Sequence, residues 1–452
     1  MLIEQYIFIT LFFTVFAFFI YVHVAYPFWV HMPVSHTYDI HHRLFYNTGN
    51  SNIQVLQQYP YRNKWISPKV QGTVGEQPRV APRVSAQRAD ISAGTLEVKS
   101  VSYHDLSEDV KTGVIDQLNC NYIPSDSILF TIEKKHFDVL FSGHFDTPFI
   151  TTYCSSIGPL GKPSLDQNKP LGCLCSYPVR ILYRQEKTAS NNLVFLACDR
   201  DNPKNKEITR KLIATHEYNS RNRVTDIKTS ILKKHTGFCA GVRPLLTFST
   251  SLFYIGVNKK QNKGPSTIIQ VYRENWSLMH DIADLLPRLF EFCAYMDVAA
   301  LKARVDAGQL WIFVYKYKGD ILAAYFIEDA MMLYEKVNDY GGKTLNLAAS
   351  ICNMSKLQRS DGSDGPQEGN KVFTQGFADC LALIQKQNRD YTMLLMDDVG
   401  HNRMLAKNIN IVPRGTVGSF RPLHVVNTTG AYYMINGFTK DPIDPDRAFM
   451  LI

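Results

Sequence analysis

Asp397 and Asp398 stand side by side, with His401 three residues on. That grouping suits acid–base work or a metal ion. At the end of a strand the same residues also cap a following helix, and capping is the reading the pattern favours. A second group, His36, His41 and His42, follows an apolar N-terminal run and reads as a polar face at an interface rather than a metal site. A third, Lys204, Lys206, Arg210 and Lys211, opens a helix behind the apolar strand LVFLAC of 193–198. Unbonded main-chain N–H groups and lysines at such a helix start suit a pyrophosphate. Taken alone, a charge run of this kind is a solvated helix face. Nine cysteines, an odd number without a CxxC pair, argue against a disulfide framework or a zinc ribbon. Cys173 and Cys175 alternate along one strand and share a face, which makes both core residues, with thiols kept reduced. No metal is expected. The sequence has no GxGxxG, P-loop, HExxH or GxSxG motif.

These groups must be positioned by a chain of 452 residues, 45% hydrophobic and 20% charged, which excludes a disordered, collagen-like or polytopic membrane protein. Lys and Arg number 49 against 41 Asp and Glu, a formal net charge of +8. That excess suits anionic partners, but no interleaved basic and aromatic motif supports nucleic acid as one. The uncharged run YIFITLFFTVFAFFIYV of 6–22 is expected to form a retained transmembrane anchor over residues 1–27, not a cleaved signal peptide. Arg43, Arg62 and Lys64 beyond it place the bulk of a single-pass protein in the cytosol. Residues 28–95 read as an extended arm and linker.

From 96 onward helix and strand signals alternate. Leu106, Val110, Val114 and Leu118 have helical spacing, and strands are expected over 171–183 and 193–198. A helical stripe runs through Leu278, Ile282, Leu285, Leu286 and Leu289. Strands follow at 310–317 and 321–327, a loop at 355–370, a helix through Phe377, Cys380, Leu381 and Ile384, and strands at 392–396 and 431–435. Two mixed halves, 96–265 and 266–452, give an α+β protein with a weak internal duplication.

Several short pieces occur in an order that resembles the protein N-myristoyltransferases, whose two fused halves are of acyltransferase (GNAT-like) type with a continuous mixed sheet flanked by helices. YPFWVHMPV of 26–34 looks like the family's FWxTQPV segment along the acyl-CoA. Asn121 and Tyr122, then ILF of 128–130, look like its NYVEDD…MFRF region. LGCLCSYP of 171–178 resembles LVGFISAIP, and VFLAC of 194–198 resembles NFLCV. FCAGV of 238–242 resembles YTAGV, Asp398 and Asn402 fit DLMEN, and AYYMIN of 431–436 fits QYYLYN. The match extends over roughly 420 residues. It departs from the family at Val194, Cys239 and Tyr254, where the family has Asn, Thr and His, and at the acidic loop, reduced to Asp126.

The resemblance implies transfer of a long-chain acyl group, myristoyl above all, from acyl-CoA as co-substrate to the N-terminal glycine amine of proteins. It implies an oxyanion site at the backbone amides of Phe195 and Leu196, and a base in the terminal carboxylate of Ile452, docked through the apolar tail 449–452. Cys239 would orient the amine or the peptide. Acyl-CoA would lie along Phe28, Trp29, Val30, Cys198, Lys204, Asn205, Lys206 and Ile208. The peptide would meet Tyr122, Phe130, Phe238, Gly241, Tyr254, Asp398 and Tyr432. Partners implied are proteins with an N-terminal glycine and a membrane, with the chain itself a monomer. Two other readings remain at this point: another GNAT-type N-acyltransferase, and a membrane-anchored relative without catalysis.

Overall fold

A computed structural model describes residues 2–25, 96–155 apart from 124 and 126, 170–205, 229–235, 244–255, 267–317, 320–337, 340–353, 366–408, 420–435 and 443–452, with scattered positions between 208 and 227. The arm of 28–95 lies outside the described residues, and with it the histidines His36, His41 and His42.

The N-terminal segment is helical, α1 (Leu2–Ala25). Its described side chains, between Ile9 and Tyr21, are exposed, Phe12 and Phe13 among them. Among the described residues no helix is long and apolar enough to cross a membrane. The expected transmembrane anchor finds no support among them.

The first half contains β1 (Leu96–Ser102), α2 (Glu108–Asn121), β2 (Ile128–Phe130), α3 (Lys134–Leu140), β3 (Phe149–Ser155), β4 (Pro170–Tyr183), β5 (Glu186–Cys198) and β6 (Thr229–Lys234). Strand β7 (Leu246–Ile255) closes that half, and the second contains β8 (Thr267–Gln270), α4 (Leu278–Leu289), β9 (Phe292–Tyr295), α5 (Val298–Asp306), β10 (Leu310–Tyr317), β11 (Asp320–Val337), β12 (Tyr340–Cys352), α6 (Pro366–Gln387), β13 (Tyr391–Asp397), α7 (Asn402–Asn408), β14 (Phe420–Ile435) and β15 (Ala448–Leu451). The α+β class expected from the sequence is what these elements form.

One mixed sheet runs through the described residues in the order β1-β3-β4-β5-β6-β14-β7-β13-β12-β11-β10-β8. The same motif occurs twice. Antiparallel β4 and β5 lead through a helical segment, residues 205–220 in part, to β6 parallel to β5. Antiparallel β11 and β12 lead through α6 to β13 parallel to β12. Parallel neighbours need such a crossover, because a tight turn cannot reverse the chain twice.

Strand β4 is buried on both faces almost throughout, which explains its near-continuous apolar sequence. Cys173 and Cys175 are both fully buried in it, on the shared face expected. The β4–β5 hairpin turns at Arg184 and Gln185, both with positive φ (46° and 73°), matching a two-residue loop twisted like its strands. Helix α2 buries Val114 and Leu118 one turn apart, and α4 buries Leu278, Ile282 and Leu286. The largest core joins the two halves: Val114, Phe137, Ile181, Phe292, Phe326 and Phe449 belong to it.

One buried polar side chain is paired at both of its ring nitrogens. His216 is fully buried, with Nδ1 2.8 Å from Thr151 Oγ1 and Nε2 2.8 Å from Ser176 Oγ. A neutral imidazole serves both, donating from one nitrogen and accepting on the other. Burial holds its pKa down at about 3. An unfolded histidine titrates near 6.5, so between about 6.5 and 3 the unfolded chain binds a proton that the folded chain refuses. The stability His216 contributes is therefore complete above about pH 6.5 and is lost as pH falls. Urea denaturation at pH 7 and pH 5 should show a larger acid loss for the wild type than for His216→Gln.

Candidate acyl-transfer site

Strand β5 carries an irregularity at its C-terminal end. Cys173 pairs with Ala197 and Cys175 with Val194, so Leu174 alone faces both Phe195 and Leu196. Two residues opposite one is a β-bulge. Phe195 takes φ +54°, in the left-handed region where a side chain costs about 1–2 kcal/mol. On the other side, β5 pairs with β6 only from Ser190 to Leu193, ending just before the bulge. The two residues whose amides were expected to polarise a carbonyl therefore sit where ladder pairing breaks down on both edges.

The Phe195 ring lies 5.2 Å from that of Tyr122 and 6.0 Å from that of Phe130, and these two are 4.8 Å apart. Tyr122 follows the last turn of α2, where its N–H closes the helix on Leu118 O. Phe130 is held by β2, which pairs with β11 of the second half. The bulge and two expected peptide contacts thus form one aromatic cluster, and the strand carrying Phe130 is anchored by the second half.

Strand β15 runs parallel to β9, which pairs in turn with β4. Ala448, Phe449, Met450 and Leu451 are all buried, and Met296 N donates to Leu451 O at 3.1 Å. Ile452 is half-buried and packs on the same core as Phe195 and Tyr122. Gly400 holds this strand from the side: its N–H donates to Pro445 O at 2.7 Å, its φ is +58°, and a Cβ there would stand 2.5 Å from Ala448 O.

The segment after β5 is built from local hydrogen bonds. Asn202 Oδ1 accepts from Lys204 N, and Asn205 Nδ2 donates to Asp199 O, both at 3.0 Å. Ile208 is buried and its N–H donates to Lys204 O. Cys198 is buried beside Thr209, and burial pushes its thiol up to about 11. Cys198 and Ile208 are thus core residues, and Lys204, the one cation of the group among the described residues, is exposed. Phe28, Trp29, Val30, Lys206, Phe238, Cys239 and Gly241 lie outside the described residues.

Asp398 and His401 do structural work. Asp398 N donates to Ser249 O, and its carboxylate accepts from Ser249 N. His401 Nδ1 accepts from Cys352 N at 2.8 Å, and burial takes its pKa to about 4. Asn402 bonds Ser350 and Leu347 O. Among the described residues no side-chain group is arranged to hold a metal ion. Tyr254 sits apart, on β7 in a small cluster with Met332 and Tyr334.

Asp397 is different, and sequence reading missed its partner. Its Oδ2 accepts from Lys233 Nζ at 2.5 Å and its Oδ1 from Thr250 Oγ1 at 2.6 Å. The ammonium lies 5.2 Å from the Phe248 ring and 5.6 Å from that of Tyr432. Burial opposes both charges, but each partner outweighs it. Lys233 is held above its ordinary pKa and Asp397 below the usual carboxylate range. The partners are 164 residues apart, so no local spacing signals them. The expected peptide residue Tyr432 is therefore part of a charged, aromatic centre.

A cavity of about 530 Å³ lies elsewhere, by the β4–β5 turn, lined by Arg184, Arg288, Glu291 and Arg447 among others.

No protein-family model and no curated protein sequence matches the chain. Solved structures do. N-myristoyltransferase of Saccharomyces cerevisiae with bound myristoyl-CoA superposes with a TM-score of 0.54 at 11% identity, covering 77% of this chain and 84% of that one. The same yeast protein with myristoyl-CoA and inhibitors gives 0.56 at 14%, covering 78% and 83%. At these identities the likeness establishes a shared fold.

Lys233→Met should leave Asp397 enclosed without a counter-charge and destabilise the protein by about 3–5 kcal/mol. Lys233→Met combined with Asp397→Leu should recover most of that loss, as read by chemical denaturation of the single and double variants.

Proposed function

We propose that the protein is an acyltransferase that moves a fatty acyl group, myristoyl in the first instance, from a CoA thioester to the N-terminal glycine amine of an acceptor protein. The observation that carries this reading is the β5 bulge at Phe195, set against Tyr122 and Phe130. The fold shared with structures that hold myristoyl-CoA supports it.

In the proposed step a neutral amine attacks the thioester carbon. Negative charge gathers on the carbonyl oxygen, where fixed main-chain donors stabilise it most, because they need no reorganisation. The amides of Phe195 and Leu196 supply those donors in this reading. The carbon–nitrogen bond forms, the carbon–sulfur bond breaks, and CoA leaves as a thiolate that takes up a proton from solvent. An α-amine has an ordinary pKa near 8, so most of it is protonated at pH 7 and a base is required. In a chain that ends at Ile452, the carboxylate there is the proposed base. Ile452 packs against the apolar core that also holds Phe195 and Tyr122.

Lys204 and the segment after β5 are assigned to the CoA phosphates, with Phe28, Trp29 and Val30 along the acyl-CoA. Asn205 spends its side chain on Asp199 O and contributes to the shape of that turn.

Mass spectrometry of the purified full chain should detect co-purified long-chain acyl-CoA, and added myristoyl-CoA should bind with higher affinity than acetyl-CoA. A preference for acetyl-CoA would assign the fold to a short-chain N-acetyltransferase. Absence of affinity for either would remove the enzymatic reading. Extending the chain by a few residues after Ile452 should abolish transfer to a glycine-first peptide while leaving the melting temperature and myristoyl-CoA binding unchanged. Full activity in the extended protein would exclude the carboxylate as base.

A further inference from the structure

The acyl-transfer reading makes no use of the Lys233–Asp397 pair. Enclosed ion pairs are seldom better for stability than apolar residues of the same volume, and they concentrate at functional sites. The position of this one is informative. Lys233 on β6 is in register with Tyr432 on β14. Leu232 pairs with Leu193 in the parallel β5–β6 ladder, so Lys233 follows at the level of Val194, one residue before the bulge.

The titratable groups around the ammonium come from every neighbouring element. Asp397 comes from the end of β13, Tyr432 from β14, Tyr122 from the end of α2 and His235 from the same chain segment as Lys233. Glu328 of β11 acts on Tyr432. Asp397 is the carboxylate bonded to the ammonium, and both its oxygens are occupied, by Lys233 and Thr250. It is also the more enclosed partner: its side chain is 12% exposed against 24% for Lys233.

We propose that Lys233 is a positioning residue for the acceptor: its ammonium, fixed by Asp397, disfavours a second cation beside the Phe195 bulge, so that the site admits the acceptor amine in its neutral, nucleophilic form. A like charge destabilises a protonated neighbour, and the neutral form is the one that attacks. Lys233 takes no part in bond making. The proton lost by the nitrogen goes to the base or to solvent, as in the reaction above. This inference rests on the acyl-transfer reading.

The test uses the full chain, myristoyl-CoA and a glycine-first peptide without Lys, Arg or His. Single-turnover rates are followed from pH 6 to 9.5, and the amine of the free peptide is titrated by NMR. The wild type should show its acid limb about one pH unit below the titration of the free amine, a tenfold advantage per unit on the acid side. In Lys233→Met with Asp397→Leu the limb should return to the free-amine value, with the rate restored above pH 9 and myristoyl-CoA affinity unchanged. Lys233→Arg should keep the low limb. A wild-type limb at or above the free-amine value overturns the inference, and this comparison stands even if the double variant does not fold. A double variant with the wild-type limb overturns it too. In both cases acyl transfer itself survives. A wild type that binds myristoyl-CoA and transfers nothing to any glycine-first peptide overturns the acyl-transfer reading, and this role with it.

Discussion

Inside a sheet each strand's main-chain groups are taken up by its neighbours, and a reactive site that needs main-chain donors has to interrupt that pattern. Here the interruption is at Phe195. Two residues of β5 face one of β4, the chain enters the left-handed region with a side chain in place, and pairing with β6 has already stopped at Leu193. Such a local strain persists only where its surroundings over-determine it. Tyr122 and Phe130 brace the Phe195 ring, and Cys173, opposite Ala197, lies fully buried on the neighbouring strand. The candidate chemistry depends on that break, and the rest of the fold holds it open.

The second half of the molecule supplies much of the bracing. Strand β14 lies between β6 and β7, and β2 of the first half pairs with β11 of the second. The halves are consequently joined through main-chain ladders as well as side-chain packing. Lys233, Thr250, Asp397 and Tyr432 come from four adjacent strands around this junction, which is why a charged centre can exist there with its groups satisfied.

Elements with one dominant signal were legible in the sequence. Strand β4, apolar along nearly its whole length, was expected at 171–183 and spans Pro170–Tyr183. The stripe of α4 is equally direct. Strand β5 was expected only over 193–198, yet it begins at Glu186. Its first half reads as a turn because it contains Ser190, Asn191 and Asn192. These are buried, bonded to Thr229 O, Ser220 and Tyr177, and burial with distant partners overrides their local preference. Strand β11 continues past the expected end at Ile327 through Met331, at φ +56°. Helix α6 starts at Pro366, inside the expected loop, where a proline suits a first helical turn. At the site, no periodicity announces the Phe195 bulge; it entered through family resemblance. Asp398 and His401, expected to cap the following helix, bond Ser249 and Cys352 of other strands instead. Asp397 stands next to them in sequence, and only its contact with a lysine from another strand sets it apart.

The parallel pairing of β15 with β9 also bears on how the molecule is made. Ala448 meets Phe292, and β9 in turn meets β4 more than a hundred positions earlier in the chain. Contacts so distant in sequence form slowly, since a large loop must close before any contact rewards it. Until residues 448–451 dock, β9 presents an uncovered edge of the kind that recruits foreign strands. Docking of β15 is accordingly a late step of folding, and a nascent chain exposes the β9 edge until that strand arrives.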